Sequence, residues 1–173
     1  MRISLLPVAD RELESYKRDL QEAFQRGYED AFGPAAEEIL PEGDIDRSLN
    51  TAGAAAYQAV LDGERVGGAI VVIDPVTQNN HLDFLFVKHG AQSKGIGASI
   101  WQTLETLYPQ TRVWVTCTPY FEKRNIHFYV NRCGFHIVAF FNERLPDPHM
   151  PDAFTGEDPS EGMFLFEKQM NPS

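Results

Sequence analysis

The chain has little cysteine: Cys117 and Cys133 are the only two in 173 residues. Two thiols cannot build a disulfide framework, and alone they cannot supply a four-ligand zinc site. A reducing, cytoplasmic setting is the simplest one, and no metal is expected. No apolar run approaches the ~20 residues of a membrane span, so no membrane role is expected. The apolar opening, residues 1–7, is too short for a signal peptide, and acids follow at Asp10 and Glu12. Positive charge is also scarce: 15 Lys and Arg stand against 25 Asp and Glu, a net charge of −10. A general nucleic-acid binder needs a basic face, so nucleic acid is excluded as a partner. There is no internal repeat and no low-complexity tract. What remains is an ordinary globular composition. It is 43% hydrophobic, with 12 Phe, 6 Tyr and 2 Trp, too apolar for a disordered chain. The length suits one domain, 1–173, with a real core.

The charge is unevenly placed. Residues 1–50 carry 12 acids and 6 bases, residues 51–143 carry 7 of each, and residues 144–161 carry 5 acids and one base. A neutral middle can hold an anionic ligand that the whole-chain charge would repel. A short strand at 2–7 ends at Pro7. Asp10 is placed to cap a helix running to about residue 31, in which Leu13, Tyr16, Leu20, Phe24 and Tyr28 recur at three- and four-residue steps. Residues 34–50 are a polar connection with a short helix near 45–49. Strands 54–61 and 65–74 flank Asp62-Gly63-Glu64, a hairpin signal. Gly67-Gly68 marks a bulge or a close backbone approach. In a third strand, 81–88, Leu82, Phe84 and Phe86 share one face, and His81, Asp83, Leu85 and Val87 the other. A loop at 89–95 leads into a helix at 96–108. A strand at 112–118, a helix near 122–133 with Gly134 as its C-cap, and a strand at 135–142 follow. The stretch 144–161, with four prolines, reads as an acidic loop, and 163–168 as the last strand. This is an α+β (mixed α/β) fold: about seven strands in a largely antiparallel sheet, with three or four helices.

Chemistry concentrates where the third strand hands over to the helix at 96–108. The loop reads Gln92-Ser93-Lys94-Gly95-Ile96-Gly97-Ala98. Successive backbone N–H groups there can point into one concavity, and the helix dipole adds partial positive charge. Glycine removes the Cβ that would hold a phosphate away, and Lys94 adds a full charge. The alternative is a loop with convenient glycines. A P-loop is excluded because Lys94 precedes the glycines. A dinucleotide fold lacks its third glycine, since Ile100 stands there, and lacks the repeating βαβ pattern.

These residues resemble the cofactor motif of the GNAT acetyltransferase superfamily: a strand ending in Val, then a loop, then Gln/Arg-x-x-Gly-x-Gly/Ala opening a helix. Here the motif runs from Phe86-Val87 to Gln92-Ser93-Lys94-Gly95-Ile96-Gly97. A second family element, a helix ending in an aromatic pair and Gly-Phe, matches Phe128-Tyr129 and Cys133-Gly134-Phe135. The resemblance covers residues 54–143 well and the ends by topology. It implies acetyl-CoA as co-substrate, with its pyrophosphate at 92–97 and its pantetheine in a gap between splayed strands 81–88 and 112–118. It also implies N-acetyl transfer to a primary amine, of a small molecule or a protein, by direct attack in a ternary complex. A homodimer is compatible with it.

The implied site residues follow from the same resemblance. Phe86, Val87, Gln92, Ser93, Lys94, Gly95, Ile96, Gly97 and Ala98 would bind the cofactor. A backbone N–H near Phe86–Val87 would stabilise the oxyanion, and Asn125 would bond the pantetheine amides. His81 and Asp83 are the candidates for the base that frees the attacking amine; the bland alternative is hydrogen bonding at the sheet end near Asn79 and Asn80. Two departures are mild: Ser93 replaces a usual Gly and His89 a frequent Pro. A third bears on mechanism. In much of the family a tyrosine four residues before the Gly-Phe glycine protonates the departing thiolate. Here Val130 holds that place and Tyr129 stands five before Gly134. One residue is about 100° of helical rotation. Either the helix ends with an extra residue that restores the direction, or Tyr129 packs and water does the job. That displacement motivates the alternative of a catalytically silent acyl-CoA sensor. A nucleotide-phosphate binder using the same loop is a second alternative. Lys88, Lys94, Lys123 and Arg124 cluster by sequence around the implied cofactor path. Cys117 reads as a buried small hydrophobe. The acidic loop has three readings: a lid for a cationic acceptor, a weak metal site from Asp147, His149 and Asp152, or a solvated surface.

Overall fold

A computed structural model of the chain describes residues 2–91, 95–148 and 162–171. In chain order the elements are β1 (Ser4–Pro7), α1 (Leu13–Phe32), α2 (Glu42–Leu49), β2 (Ala54–Leu61), β3 (Glu64–Val72), β4 (Asn79–Val87), α3 (Ile96–Leu107), β5 (Val113–Pro119), α4 (Lys123–His127), β6 (His136–Phe141) and β7 (Met163–Gln169). This is the expected mixed α+β class. Hydrogen-bonded neighbours give the strand order β1-β2-β3-β4-β5-β7-β6. The pairs β1–β2, β2–β3, β5–β7 and β6–β7 are antiparallel. The pair β4–β5 is parallel, in register from Asn79↔Val113 to His81↔Val115. Among the described residues, no helix is long and apolar enough to cross a membrane. The chain folds as two compact units, residues 1–76 with 82–109, and residues 77–81 with 110–173.

In the first unit the apolar stripe of α1 does what its period predicts. Tyr16 and Leu20 are fully buried and pack with Leu40, Ile45, Ile70 and Phe86. The Tyr16 hydroxyl donates to the Ala69 carbonyl at 3.1 Å. The start of α1 differs from expectation. Asp10 opens a 3-10 turn, Asp10–Glu12, and makes no side-chain cap. The Ala9 N–H instead donates to the Glu12 carboxylate at 3.1 Å, and the Glu12 N–H to the Ala9 carbonyl at 2.8 Å. Glutamate's longer side chain reaches back over the turn from its third position. Lys17, also buried, joins α1 to α2 through Asp46 at 2.6 Å and Glu42 at 3.1 Å.

Both readings of Gly67-Gly68 hold. Gly67 pairs with Ala59 and Arg65 with Val60, so Val66 is bulged out of the ladder. A Cβ on Gly67 would lie 2.3 Å from the Phe86 carbonyl oxygen, and one on Gly68 2.5 Å from that of Tyr57. Glycine here is what lets β3 lie against β4.

In the second unit Trp114, Thr116 and Thr118 are the buried members of β5, as their alternation predicts. The helix expected over 122–133 is divided. Five residues form α4, and Phe128–Arg132 form a π-turn. There the Cys133 N–H donates to the Phe128 carbonyl at 3.0 Å, five residues back. The turn therefore holds one residue more than an α-helix would.

Candidate active site

In the first unit, Gly95 precedes α3 with φ +93°, in the left-handed region, and a Cβ built on it meets nothing within 4 Å. Glycine is the residue that adopts this turn without strain. It opens a helix of 12 residues with no side-chain cap. The N–H groups of Ile96, Gly97 and Ala98 belong to the first turn, which helix geometry leaves without intrahelical acceptors. Ile96 is buried and anchors the turn, while Gly97 and Ala98 are partly accessible. Small residues, an anchored turn and outward amides suit a diphosphate in both charge and room. Gln92, Ser93 and Lys94 lie outside the described residues.

The end of β4 supplies the next feature. The Lys88 N–H donates to the Val66 carbonyl at 2.8 Å, and the Phe86 carbonyl faces Gly67. Phe86 and Lys88 therefore direct their backbone groups at β3. By the two-residue period of a strand, the N–H of Val87 points to the other edge. Of Phe86 and Val87, Val87 is the one whose N–H the alternation turns away from β3. The Phe86 side chain is buried in the core.

The two base candidates, His81 and Asp83, take alternate positions on β4 and both are exposed. An Asp83 carboxylate oxygen accepts a hydrogen bond from the Ser48 hydroxyl at 2.6 Å. Ser48 is buried on α2, so this carboxylate is held from one side and open on another. Nothing in the sequence signalled Ser48, which lies 35 positions away. Of the basic cluster, Lys88 lies 3.8 Å from Asp19, which also pairs with Arg65 at 3.0 Å.

In the second unit β5 and the segment after it form a small polar array. The Asn125 amide donates to the Thr118 hydroxyl at 3.3 Å. Tyr129 is buried. Burial pushes that phenol far above its ordinary pKa and the neighbouring Cys133 adds to this, while the Thr116 hydroxyl opposes them. Its ring packs on Phe135 and Phe166, each with centroids 5.7 Å away. Glu122, half-buried before α4, has its carboxyl pushed up by burial, against the pull of Arg124. Sequence reasoning passed over Glu122, Thr116 and Thr118, although hydroxyls at alternate, inward positions of one strand were a readable signal. Cys117 corrects another expectation: it is exposed, because it occupies the opposite face of β5 from the buried threonines. Among the described residues no His, Cys, Asp and Glu group is placed to hold a metal ion. His149 and Asp152 of the suggested metal site lie outside them.

A model of the acetyltransferase (GNAT) family matches residues 13–135. The uncharacterized protein YrkN of Bacillus subtilis (strain 168) is 46% identical over 142 residues, 82% of this chain and 77% of that protein. The ribosomal-protein-S18-alanine N-acetyltransferase of Escherichia coli is similar in fold, with a TM-score of 0.70 at 11% identity over 99% of this chain and 96% of that one. So is the PaiA N-acetyltransferase of Thermoplasma acidophilum, solved in complex with coenzyme A, with a TM-score of 0.66 at 17% identity over 98% and 99%. With over two thirds of its length matched by the family model, this chain belongs to the GNAT family of acetyltransferases.

Proposed function

We propose that this chain is an N-acetyltransferase that moves the acetyl group of acetyl-CoA to a primary amine by direct attack in a ternary complex. The observation that carries the reading is the left-handed Gly95 leading into an uncapped α3, with Ile96 anchored and Gly97 and Ala98 accessible. Such a turn holds a diphosphate by backbone N–H groups and the helix dipole. Gln92, Ser93 and Lys94 complete the loop in this reading, and Asn125 serves the pantetheine amides. The folds of the E. coli S18-alanine enzyme and of the CoA-bound PaiA enzyme support it by analogy. The whole of 1–173 then acts as one catalytic domain in a reducing cytoplasm.

The chemistry needs four services from the protein. Asp83, oriented by Ser48, takes the proton from the acceptor's ammonium, directly or through water; His81 is the second candidate. The freed amine forms the new C–N bond at the thioester carbonyl, and the second proton that its nitrogen must then shed passes to water. The Val87 N–H stabilises the oxyanion. As the C–S bond breaks, the Tyr129 phenol protonates the leaving thiolate and later regains its proton from solvent. A phenol is already protonated at neutral pH, the state an acid requires, and burial pushes its pKa further up. The silent-sensor reading rested on the displaced tyrosine. The π-turn at 128–132 supplies the extra residue that the displacement called for, and so favours the enzyme.

Thiol release from acetyl-CoA across a panel of amines, amino acids and peptides tests the proposal. Amine-dependent release with a matching acetylated product is expected. Acetyl-CoA binding with no turnover on any acceptor would establish the sensor instead.

A further inference from the structure

We propose that Lys168 is a positioning residue for Tyr129: its ammonium holds the end of the π-turn at 128–132, and with it the place from which the Tyr129 side chain projects. The inference rests on the reading of Tyr129 as the acid, and goes beyond it by assigning what keeps that acid in register. The starting observation is a lysine on an inward face. On β7, Lys168 lies opposite Trp114, and Phe166, two residues earlier, lies opposite Thr116. Trp114, Thr116 and Phe166 are all buried. The two-residue period of the strand puts Lys168 on that same face, where an apolar residue is the usual occupant. Its ammonium has a specific partner there: Nζ donates to the Cys133 carbonyl at 2.7 Å. The chain leaves the turn through Gly134 at φ +83°, directly beside this side chain; a Cβ built on Gly134 would lie 3.4 Å from both Cε and Nζ of Lys168.

Cys133 is the residue that makes the turn wide. Its N–H reaches back five residues to the Phe128 carbonyl at 3.0 Å, and its own carbonyl is the one Lys168 takes. One residue is thus held at both of its backbone groups. Two residues on, the Phe135 N–H closes the segment by donating to the Tyr129 carbonyl at 2.9 Å. The last carbonyls of a helical segment lack intrahelical donors, and a lysine there answers both the open acceptor and the negative end of the dipole. β7 therefore braces Tyr129 twice, with Phe166 against the ring at a centroid distance of 5.7 Å and with Lys168 at the end of the turn that carries it. π-turns are rare and concentrate at functional sites. A turn that relaxed to α-helical spacing would carry Tyr129 round by about 100° for the residue lost.

The test joins a backbone readout to a kinetic one. Lys168→Met keeps the apolar stem and removes the donor; Lys168→Arg keeps a charged donor. In Lys168→Met, hydrogen exchange of the Cys133 and Phe135 amides, followed by NMR, should speed up about tenfold or more, while the amides of α1 exchange as in the wild type. Thiol release from acetyl-CoA is then measured with the amine acceptor found in the panel, or with water where no amine serves. Lys168→Met is expected to lower kcat about threefold to tenfold, with the KM for acetyl-CoA changed by less than about twofold. Lys168→Arg should keep most of kcat, and on a Tyr129→Phe background Lys168→Met should cost nothing further. Should Lys168→Met fail to fold by circular dichroism, Lys168→Gln, which exchanges the charged donor for a neutral one, takes its place in both measurements. Unchanged exchange at Cys133 and Phe135 would show that the turn does not depend on Lys168, and the proposal falls. Faster exchange with wild-type kcat, beside a slow Tyr129→Phe, would also overturn it while leaving the acid in place, and so would equal loss on both backgrounds. Full activity in Tyr129→Phe is the separate result that removes the acid, and the inference with it. No thiol release from the wild-type chain would defeat the enzymatic reading altogether.

Discussion

On the proposed function, Gly97 separates binding from folding at a single residue. It lies in the first turn of α3, where an acid is favourable to the helix by ~0.3–1 kcal/mol. The same acid would meet the diphosphate at close range and repel it. Gly97→Asp should therefore leave the melting temperature unchanged or slightly raised, while CoA affinity falls at least about tenfold, some 1.4 kcal/mol. Calorimetric titration of a variant that binds CoA as the parent does would move the diphosphate elsewhere. Glu122 makes the opposite kind of case. Burial raises its carboxyl above the ordinary 4.5. Below the unfolded pKa the group is neutral in both states and costs nothing. The penalty for ionising it in the fold grows as pH rises through that value, and is complete above the folded pKa. Glu122→Gln should thus raise the melting temperature at pH 7, by a few degrees in order of magnitude, with the gain vanishing near pH 4. A gain independent of pH would assign the effect to something other than the charge.

Among the elements, β3 and the end of β4 show how much a pair of glycines can fix. With the Phe86 carbonyl 2.3 Å from where a Cβ would sit on Gly67, Gly67→Ala must push the two strands apart. A cost of about 1–3 kcal/mol is expected from such overpacking. Because Val87 follows Phe86, CoA affinity should weaken as well, which paired denaturation and binding measurements would register. A destabilised protein with unaltered CoA affinity would uncouple β3 from the site. The glycine pair was readable in the sequence because few other uses exist for two glycines inside an apolar strand. The stripe of α1 was readable because burial follows helical period. The π-turn was only half readable: the spacing of Tyr129 from Gly134 posed the choice between an extra residue and a displaced side chain. Local composition does not decide it, because Val130 and Asn131 suit either turn. The cap of α1 misled for a related reason. Asp10 is a good cap residue by type, yet it stands one position inside the turn, and Glu12 closes the turn instead by accepting from the Ala9 N–H. Ser48 was out of reach because its partner, Asp83, is distant in the chain and meets it only in the folded state.

For the molecule as a whole, a net charge of −10 and a bound polyanion look incompatible, yet the seven acids and seven bases of residues 51–143 make the middle neutral. Charges beyond about a Debye length, ~8 Å at physiological salt, are largely screened, so the acidic N-terminal fifty residues weigh little against amides in direct contact. The turn before α3 alone does not select CoA, because any diphosphate could use it. The family's cofactor is distinguished by what else the chain grips, and this gives a test at the level of global stability. A ligand present at 100 times its Kd, binding only the native state, stabilises by about 2.7 kcal/mol, which for a chain of this size is on the order of 5–10 °C. CoA and acetyl-CoA at matched concentrations should each produce a shift of that order, and ATP or NAD, which share the adenine and the diphosphate, much smaller ones. Scanning calorimetry reads the comparison directly, and adding 0.15 M salt should leave the ranking intact. If ATP or NAD matched CoA, the loop would be a general nucleotide-phosphate cradle, and the pantetheine contacts assigned to β4 and Asn125 would have no energetic part in recognition.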